Sequence, residues 1–259
     1  MRFILIHGGF HGAWCWDRVV PELQALGHEA VALDLPGHGE RAAERPANYK
    51  GRIQPILDAL RGDDVLVGHS GGGYDMCVAA NYAPGKIRHM VHLAAGPPIE
   101  GKSVVEATGG ATEEDSSGDT RATQLMDDST GMLRFIKPLP DGTMEWTSLE
   151  GAREFFYHDC DNATVAWAFS KLSPGISPFP EEKLYLGDFW QAQIPRSFIL
   201  CEQDRAMPRS MSEDVIRRLG VKELTIDASH SPFLSKPAEL AALLVRAAGA
   251  RPIGPVLPT

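Results

Sequence analysis

The chain has few cysteines, four in 259 residues. Cys15, Cys77, Cys160 and Cys201 show no Cys-x-x-Cys spacing, which excludes a zinc ribbon or a disulfide framework and suits buried thiols in a reducing compartment. No apolar run approaches the roughly 20 residues that a membrane-spanning helix needs. No basic stretch offsets the formal net charge of −9, which argues against a nucleic-acid partner. Met1-Arg2-Phe3-Ile4-Leu5-Ile6-His7 reads at once as a strand, so no signal peptide is expected and a cytoplasmic location is. The histidines show no ligand spacing such as His-x-x-x-His, so no metal and no organic cofactor is implied. Internal repeats are also missing.

What is present is a rhythm of short apolar runs and helical stretches. Strands are expected at Phe3–His7, Ala30–Leu33, Val65–Val67, Met90–Leu93, Ser197–Cys201 and Glu223–Ile226. Helices are expected at Val19–Leu26, Arg52–Leu60, Gly71 to about Tyr82, Ser210–Leu219 and Pro237–Ala248. The strand runs lack strict alternation, as parallel strands covered on both faces do. The fold class is therefore α/β: a doubly wound, mostly parallel six-stranded sheet. From Ala95-Gly96-Pro97-Pro98 to about Gln193 the rhythm breaks into an acidic, Gly-rich stretch and then an aromatic, helical one. That interruption reads as an inserted, mainly helical cap. The expected division is a core of residues 1–95 and 194–250, a cap of 96–193, and a flexible, proline-rich tail of 251–259.

The run Val65-Leu66-Val67-Gly68-His69-Ser70-Gly71-Gly72-Gly73 places Ser70 in Gly-x-Ser-x-Gly between a strand and a helix. A strand that turns at once into a helix makes a tight elbow and projects the serine above the sheet. Such a serine needs a base. In a doubly wound sheet, partners come from loops beyond the carboxyl ends of later strands. Asp204 follows one such strand and His230 another, in the chain order Ser70, Asp204, His230. A neutral imidazole takes the serine proton, and a carboxylate fixes its tautomer and stabilises the imidazolium. Glu202 and Asp227 compete with Asp204; Asp227 lies too near His230 along one strand end to face its ring easily. The loop His7-Gly8-Gly9-Phe10-His11-Gly12-Ala13-Trp14 offers backbone donors for a tetrahedral oxyanion, as does the helix start at Gly71. Gly9 and Gly71 are assigned, with Gly8 or Phe10 as alternatives to Gly9.

Those residues, with Leu26-Gly27-His28-Glu29-Ala30 and Val31-Ala32-Leu33-Asp34-Leu35, resemble the α/β-hydrolase branch of plant methylesterases and hydroxynitrile lyases. Bacterial esterases of the same type are more similar still. The resemblance covers the core on both sides of the cap and is weak between Gly101 and about Glu150. It implies an α/β-hydrolase core and one of two chemistries. The cyanogenic lyases carry a threonine just after the oxyanion-loop histidine and a lysine just after the catalytic histidine. Here those positions are Gly8 and Ser231, which favours the esterases. The sequence departs from the branch at Gly71, where a bulkier side chain is usual; the departure is expected to widen the acyl pocket.

The expected function is a serine carboxylic-ester hydrolase acting on a small to medium hydrophobic or aromatic substrate. Phe10, His11, Met126, Trp146, Phe155 and Trp167 are expected to line the pocket, with Phe156, Phe169 and Met132 as further aromatic or apolar candidates. About half of the cap aromatics are expected merely to pack the cap onto itself. Alternative readings are a lyase or C–C bond hydrolase using the same triad, and a small-molecule receptor on a hydrolase scaffold. The expected partner is a small-molecule ester, with no nucleic acid and no membrane. Lactones, thioesters and a homodimer stay open.

Overall fold

A computed structural model describes residues 1–103, 106, 131–140, 143–175 and 182–249. Met126 and the tail of 251–259 lie outside the described residues. The strands are β1 (Arg2–Ile6), β2 (Glu29–Leu33), β3 (Asp64–His69), β4 (Ile87–Leu93), β5 (Ile136–Pro138), β6 (Met144–Trp146), β7 (Arg196–Cys201) and β8 (Glu223–Ile226). Six of them form one sheet in the order β2-β1-β3-β4-β7-β8, and every neighbouring pair in it is parallel. The alternation of strand and helix thus gives the doubly wound sheet that the apolar runs indicate.

The chain leaves β1 for β2 on one side and returns with β3 on the other. The loops beyond β1 and β3 consequently diverge, and the crevice between them is where such sheets hold ligands. Gly9 follows one of these strands and Ser70 the other.

Period-two alternation sends side chains to two cores. Phe3, Leu5, Val65 and Val67 join one cluster, in which they meet Val19 and Leu23 of α1 (Val19–Ala25). Ile4, Ile6 and Leu66 face the other way and join Ile56 and Met76. The stretch expected as one helix at Arg52–Leu60 is two short ones, α2 (Tyr49–Arg52) and α3 (Gln54–Ala59). Pro55 is the reason: without an N–H, and with its ring against the carbonyl four residues back, it sits in a first helical turn and not inside a helix. Helix α4 (Gly72–Tyr82) starts directly after the elbow.

Between β4 and β7 the described residues include the antiparallel ribbon β5–β6, α5 (Leu149–Phe156), α6 (Asn162–Lys171) and α7 (Gly187–Gln191). The side chain of Ser148 caps α5 by accepting from Gly151 N–H at 3.0 Å, and Asp161 caps α6 by accepting from Thr164 N–H at 2.7 Å. Trp146, Phe155, Phe156, Tyr157, Val165 and Ala168 belong to the same buried cluster as Phe3 and Val67. Phe189 and Trp190 of α7 instead pack into the α3–α4 face. The chain ends its described part with α8 (Arg209–Leu219), α9 (Pro232–Ser235) and α10 (Pro237–Ala248). Among the described residues no helix is long and apolar enough to cross a membrane.

Candidate active site

Three non-glycine residues with positive φ sit just beyond the carboxyl ends of adjacent strands: Phe10 (65°) after β1, Ser70 (50°) after β3 and Ala94 (43°) after β4. L-residues are rarely held in that region, and when they are, the site tends to be a functional one. At Ser70 the strain is enforced by close packing around the elbow. A Cβ on Gly72 would collide with the His7 carbonyl oxygen, and one on Gly68 would lie 2.8 Å from the Gly72 oxygen. A Cβ on Gly8 would lie 2.9 Å from both His69 Nδ1 and the Ser70 Cβ. Gly71 differs: its φ is −55°, and its Cβ position meets only Gly9 N among the described residues, at 3.6 Å. Neither backbone nor packing requires a glycine there.

Asp204 and His230 meet. His230 Nδ1 lies 2.7 Å from Asp204 Oδ2, and both side chains are less than 5% exposed, at 4% and 3%. The other carboxylate oxygen accepts from the amides of Ala206 and Met207, each at 2.8 Å, so the carboxylate is held from both ends. The competing acids point away: Asp227 is bonded by Gln203 Nε2 at 2.5 Å with its side chain 65% exposed, and Glu202 is exposed. His69, the neighbour of Ser70, stacks at a tilt 4.6 Å from the His230 ring. Its Nε2 donates to the His230 carbonyl at 2.9 Å, a bond between the elbow and the His230 loop. Burial, followed by the nearby His230, pushes the His69 pKa well below the usual histidine value, so His69 is a neutral donor.

The loop beyond β1 is held by imidazoles. His7 Nδ1 donates to the Gly8 carbonyl at 2.9 Å, while its Nε2 accepts from Leu35 N–H at 3.2 Å. His11 Nδ1 donates to the Gly9 carbonyl at 2.8 Å, and His38 Nδ1 donates to the His11 carbonyl at 2.7 Å. Burial lowers all three rings: His7 well below the usual range, His11 to about 3 and His38 to about 4. A carbonyl can only accept, so each Nδ1 carries the proton. In a trans peptide the N–H points opposite the C=O. The bond from His7 to the Gly8 oxygen therefore turns Gly9 N–H away from His7, and the Gly9 nitrogen lies 3.6 Å from where a Gly71 Cβ would be.

The expected pocket residues divide into three groups. Phe10 meets the edge of Trp146 at 5.7 Å, and Trp146 lies 4.5 Å from Phe156. Phe156 in turn lies 5.6 Å from His11 and 5.9 Å from His230, so it is the aromatic that reaches the histidine side of the site. Phe155 packs instead against Phe135 and Trp146, and Trp167 stands edge-on to Trp14 at 5.3 Å. His11 is 1% exposed, and both its ring nitrogens are bonded within the protein, Nε2 to the Tyr157 hydroxyl. It lies behind the loop and supports it. Sequence reasoning passed over His69 as a contact of His230 and gave no signal for Tyr157, one tyrosine in an aromatic stretch. No group of three side chains suited to a metal ion converges among the described residues.

An elbow beyond β3, a histidine beyond β8 and an acid beyond β7 on a parallel sheet define a class of protein. The model of the alpha/beta hydrolase family matches residues 3–243, and the chain belongs to that family. Methylesterase 7 of Arabidopsis thaliana is 31% identical over 263 residues, covering 95% of this chain and 96% of that protein. Among solved structures, polyneuridine aldehyde esterase superposes with a TM-score of 0.76 at 20% identity, covering 95% of this chain and 98% of its own. A pyrethroid hydrolase from Sphingobium faniae JZ-2 superposes with a TM-score of 0.74 at 24% identity, covering 96% and 98%. These two superpositions speak to the fold alone.

Proposed function

We propose that this protein hydrolyses carboxylic esters of small to medium hydrophobic or aromatic substrates through an acyl-enzyme on Ser70. Ser70 Oγ attacks the ester carbonyl as His230 takes its proton. Collapse of the tetrahedral intermediate breaks the C–O bond, and His230 returns the proton to the departing alcohol. Water, deprotonated by the same imidazole, then frees the acid and restores Ser70. Asp204 holds the His230 tautomer, and the amides of Gly9 and Gly71 receive the oxyanion. The observation that carries this reading is the 2.7 Å contact of Asp204 with His230, made beyond the strand ends on which Ser70 holds positive φ.

Residues 96–193 act in this reading as a cap whose aromatics, Trp146 and Phe156 foremost, give the site an apolar wall. The relatives named methylesterase and probable esterase, the latter from Oryza sativa, support ester cleavage as the shared chemistry. Cyanohydrin cleavage is disfavoured by geometry as well as by residue type. Gly8 has no room for a threonine side chain beside His69 and Ser70, and Ser231, where a lysine would stand, is fully buried.

A panel of p-nitrophenyl esters of rising chain length, run beside a methyl ester of an aromatic acid, tests the proposal. Wild type should turn over at least part of the panel, and Ser70→Ala should lose at least about a thousandfold in kcat. A serine-directed phosphonate should label Ser70. Failure of wild type on every ester, together with no labelling, would overturn the reading.

A further inference from the structure

The end of α5 and the turn that follows it touch three loops of the site. The Tyr157 hydroxyl lies 2.7 Å from His11 Nε2, in the loop that carries Gly9. His158 Nε2 lies 2.9 Å from the carbonyl of Gln203, the residue before Asp204. The Asp159 carboxylate accepts from Ser229 N–H at 2.9 Å, one residue before His230, and from the Ser235 hydroxyl at 2.7 Å. The Phe156 carbonyl accepts from the Ser229 hydroxyl at 2.8 Å. Four consecutive residues of a segment that is no part of the sheet thus hold the loops of Gly9, Asp204 and His230.

The contact with His11 has a definite chemical consequence. His11 Nδ1 must carry its proton, because it faces the Gly9 carbonyl at 2.8 Å. In the neutral ring Nε2 is then an acceptor, and Tyr157 donates to it. Tyr157 thereby selects the tautomer that can grip Gly9. That grip matters because packing does not supply one: a Cβ on Gly9 would meet nothing among the described residues nearer than the Gly175 oxygen at 3.9 Å. Glycine has the freest backbone of any residue, and its two soft torsions lie between two peptide planes. His7 holds the first plane through the Gly8 oxygen, and His11 holds the second through the Gly9 oxygen. An oxyanion donor works by pointing in advance at the place where charge develops.

We propose that Tyr157 and Asp159 are positioning residues for ester cleavage: Tyr157, through His11, fixes the Gly9–Phe10 peptide plane and so steadies the loop in which His7 aims the Gly9 amide, and Asp159 holds the main chain that presents His230. The inference rests on the reading of Ser70, His230 and Gly9 given above. It makes the segment between β4 and β7 a working part of the catalytic frame in addition to a wall for the substrate.

Tyr157→Phe removes one oxygen and keeps the ring. Its kcat should fall about tenfold with KM within about twofold, since the lost hydrogen bond acts on the charged transition state. A trifluoromethyl ketone, which adds to serine as an anionic hemiketal, should bind about tenfold more weakly. A neutral amide analogue of the same ester should bind as before. The ring 15N spectrum of His11 should show the Nδ1–H tautomer in wild type and a mixture in the variant. Asp159→Ala should lose about tenfold in kcat, and Asp159→Asn, whose amide oxygen still accepts from Ser229 N–H, should restore most of it. An active wild type with an unimpaired Tyr157→Phe, or equal weakening of the ketone and the amide, overturns this proposal alone. An inactive wild type that no phosphonate labels would instead overturn the ester reading on which it stands.

Discussion

At the scale of the residue, the glycines around Ser70 are not equivalent. Gly72 and Gly68 are bound to glycine because a Cβ would press on main-chain atoms, those of Ile6 and His7 for Gly72 and those of Gly72 and Gly73 for Gly68. Gly71 carries no such requirement, although it follows the nucleophile directly. Gly72→Ala should therefore cost about 1–3 kcal/mol by overpacking, read as a lower denaturant midpoint. Gly71→Ala should leave stability within about 0.5 kcal/mol while lowering kcat/KM for bulky acyl groups relative to acetyl. A Gly71→Ala variant with unchanged acyl preference would mean that the missing side chain does not set the width of the site. The pattern Gly-x-Ser-x-Gly was legible in the sequence, but which glycine is mechanical and which is free depends on what lies across from each. That information belongs to His7 and Gly9, some sixty residues upstream.

At the scale of the element, the start of α4 is anchored by a buried ion pair. Arg52, from α2, places Nε 2.8 Å from Asp75 Oδ1 and Nη2 3.1 Å from Asp75 Oδ2. Both side chains are nearly inaccessible, at 7% and 2%. Burial works against the guanidinium charge, but the Asp75 carboxylate outweighs it and raises the Arg52 pKa. Removing one partner strands the other, so Asp75→Ala should destabilise the protein by about 3–5 kcal/mol. The double variant Arg52→Met/Asp75→Leu should recover most of that loss, and additive losses in a thermal melt would contradict the pairing. Neither residue advertises the pair: Arg52 was expected at the start of one helix and Asp75 inside another. The β5–β6 ribbon was likewise invisible, because two three-residue strands are too short to display alternation and one ends in Pro138. By contrast, α10 was legible to the residue and the apolar strands to within one to three residues at their ends, since burial on both faces or along one stripe writes itself into composition.

At the scale of the molecule, the histidines make acid sensitivity a property of the whole fold. His7, His11, His38, His69, His89 and His92 are buried, and burial is the largest cause lowering the pKa of each. The folded protein keeps them neutral, whereas the unfolded chain takes up their protons below the ordinary value of 6.5. Their contribution to stability is therefore intact above pH 6.5 and is lost as pH falls toward about 4, where His38 and His89 begin to protonate in place. Each can contribute up to about 1.4 kcal/mol per pH unit across that window. Urea midpoints measured at pH 7.5, 6 and 5 should fall steeply, and a flat profile would contradict neutral burial. His92→Leu should reduce the slope by one proton, since the His92 ring is fully buried and its burial is what holds it neutral.

The sequence by itself determined the parallel sheet, the chain order of Ser70, Asp204 and His230, and the glycine loop beyond β1. It did so because those features are local: an apolar run, a turn motif, or a position just past a strand end. Only the tertiary structure showed the hydrogen bond of Asp204 with His230, that Phe156 reaches the histidine side while Phe155 packs on Phe135 and Trp146, and that His11 supports the loop from behind. Tyr157 owes its place to the same cause. A histidine, an aspartate or a tyrosine looks alike in sequence whether it binds a ligand, pins a carbonyl or fills a core, and its partner lies tens of residues away in the chain.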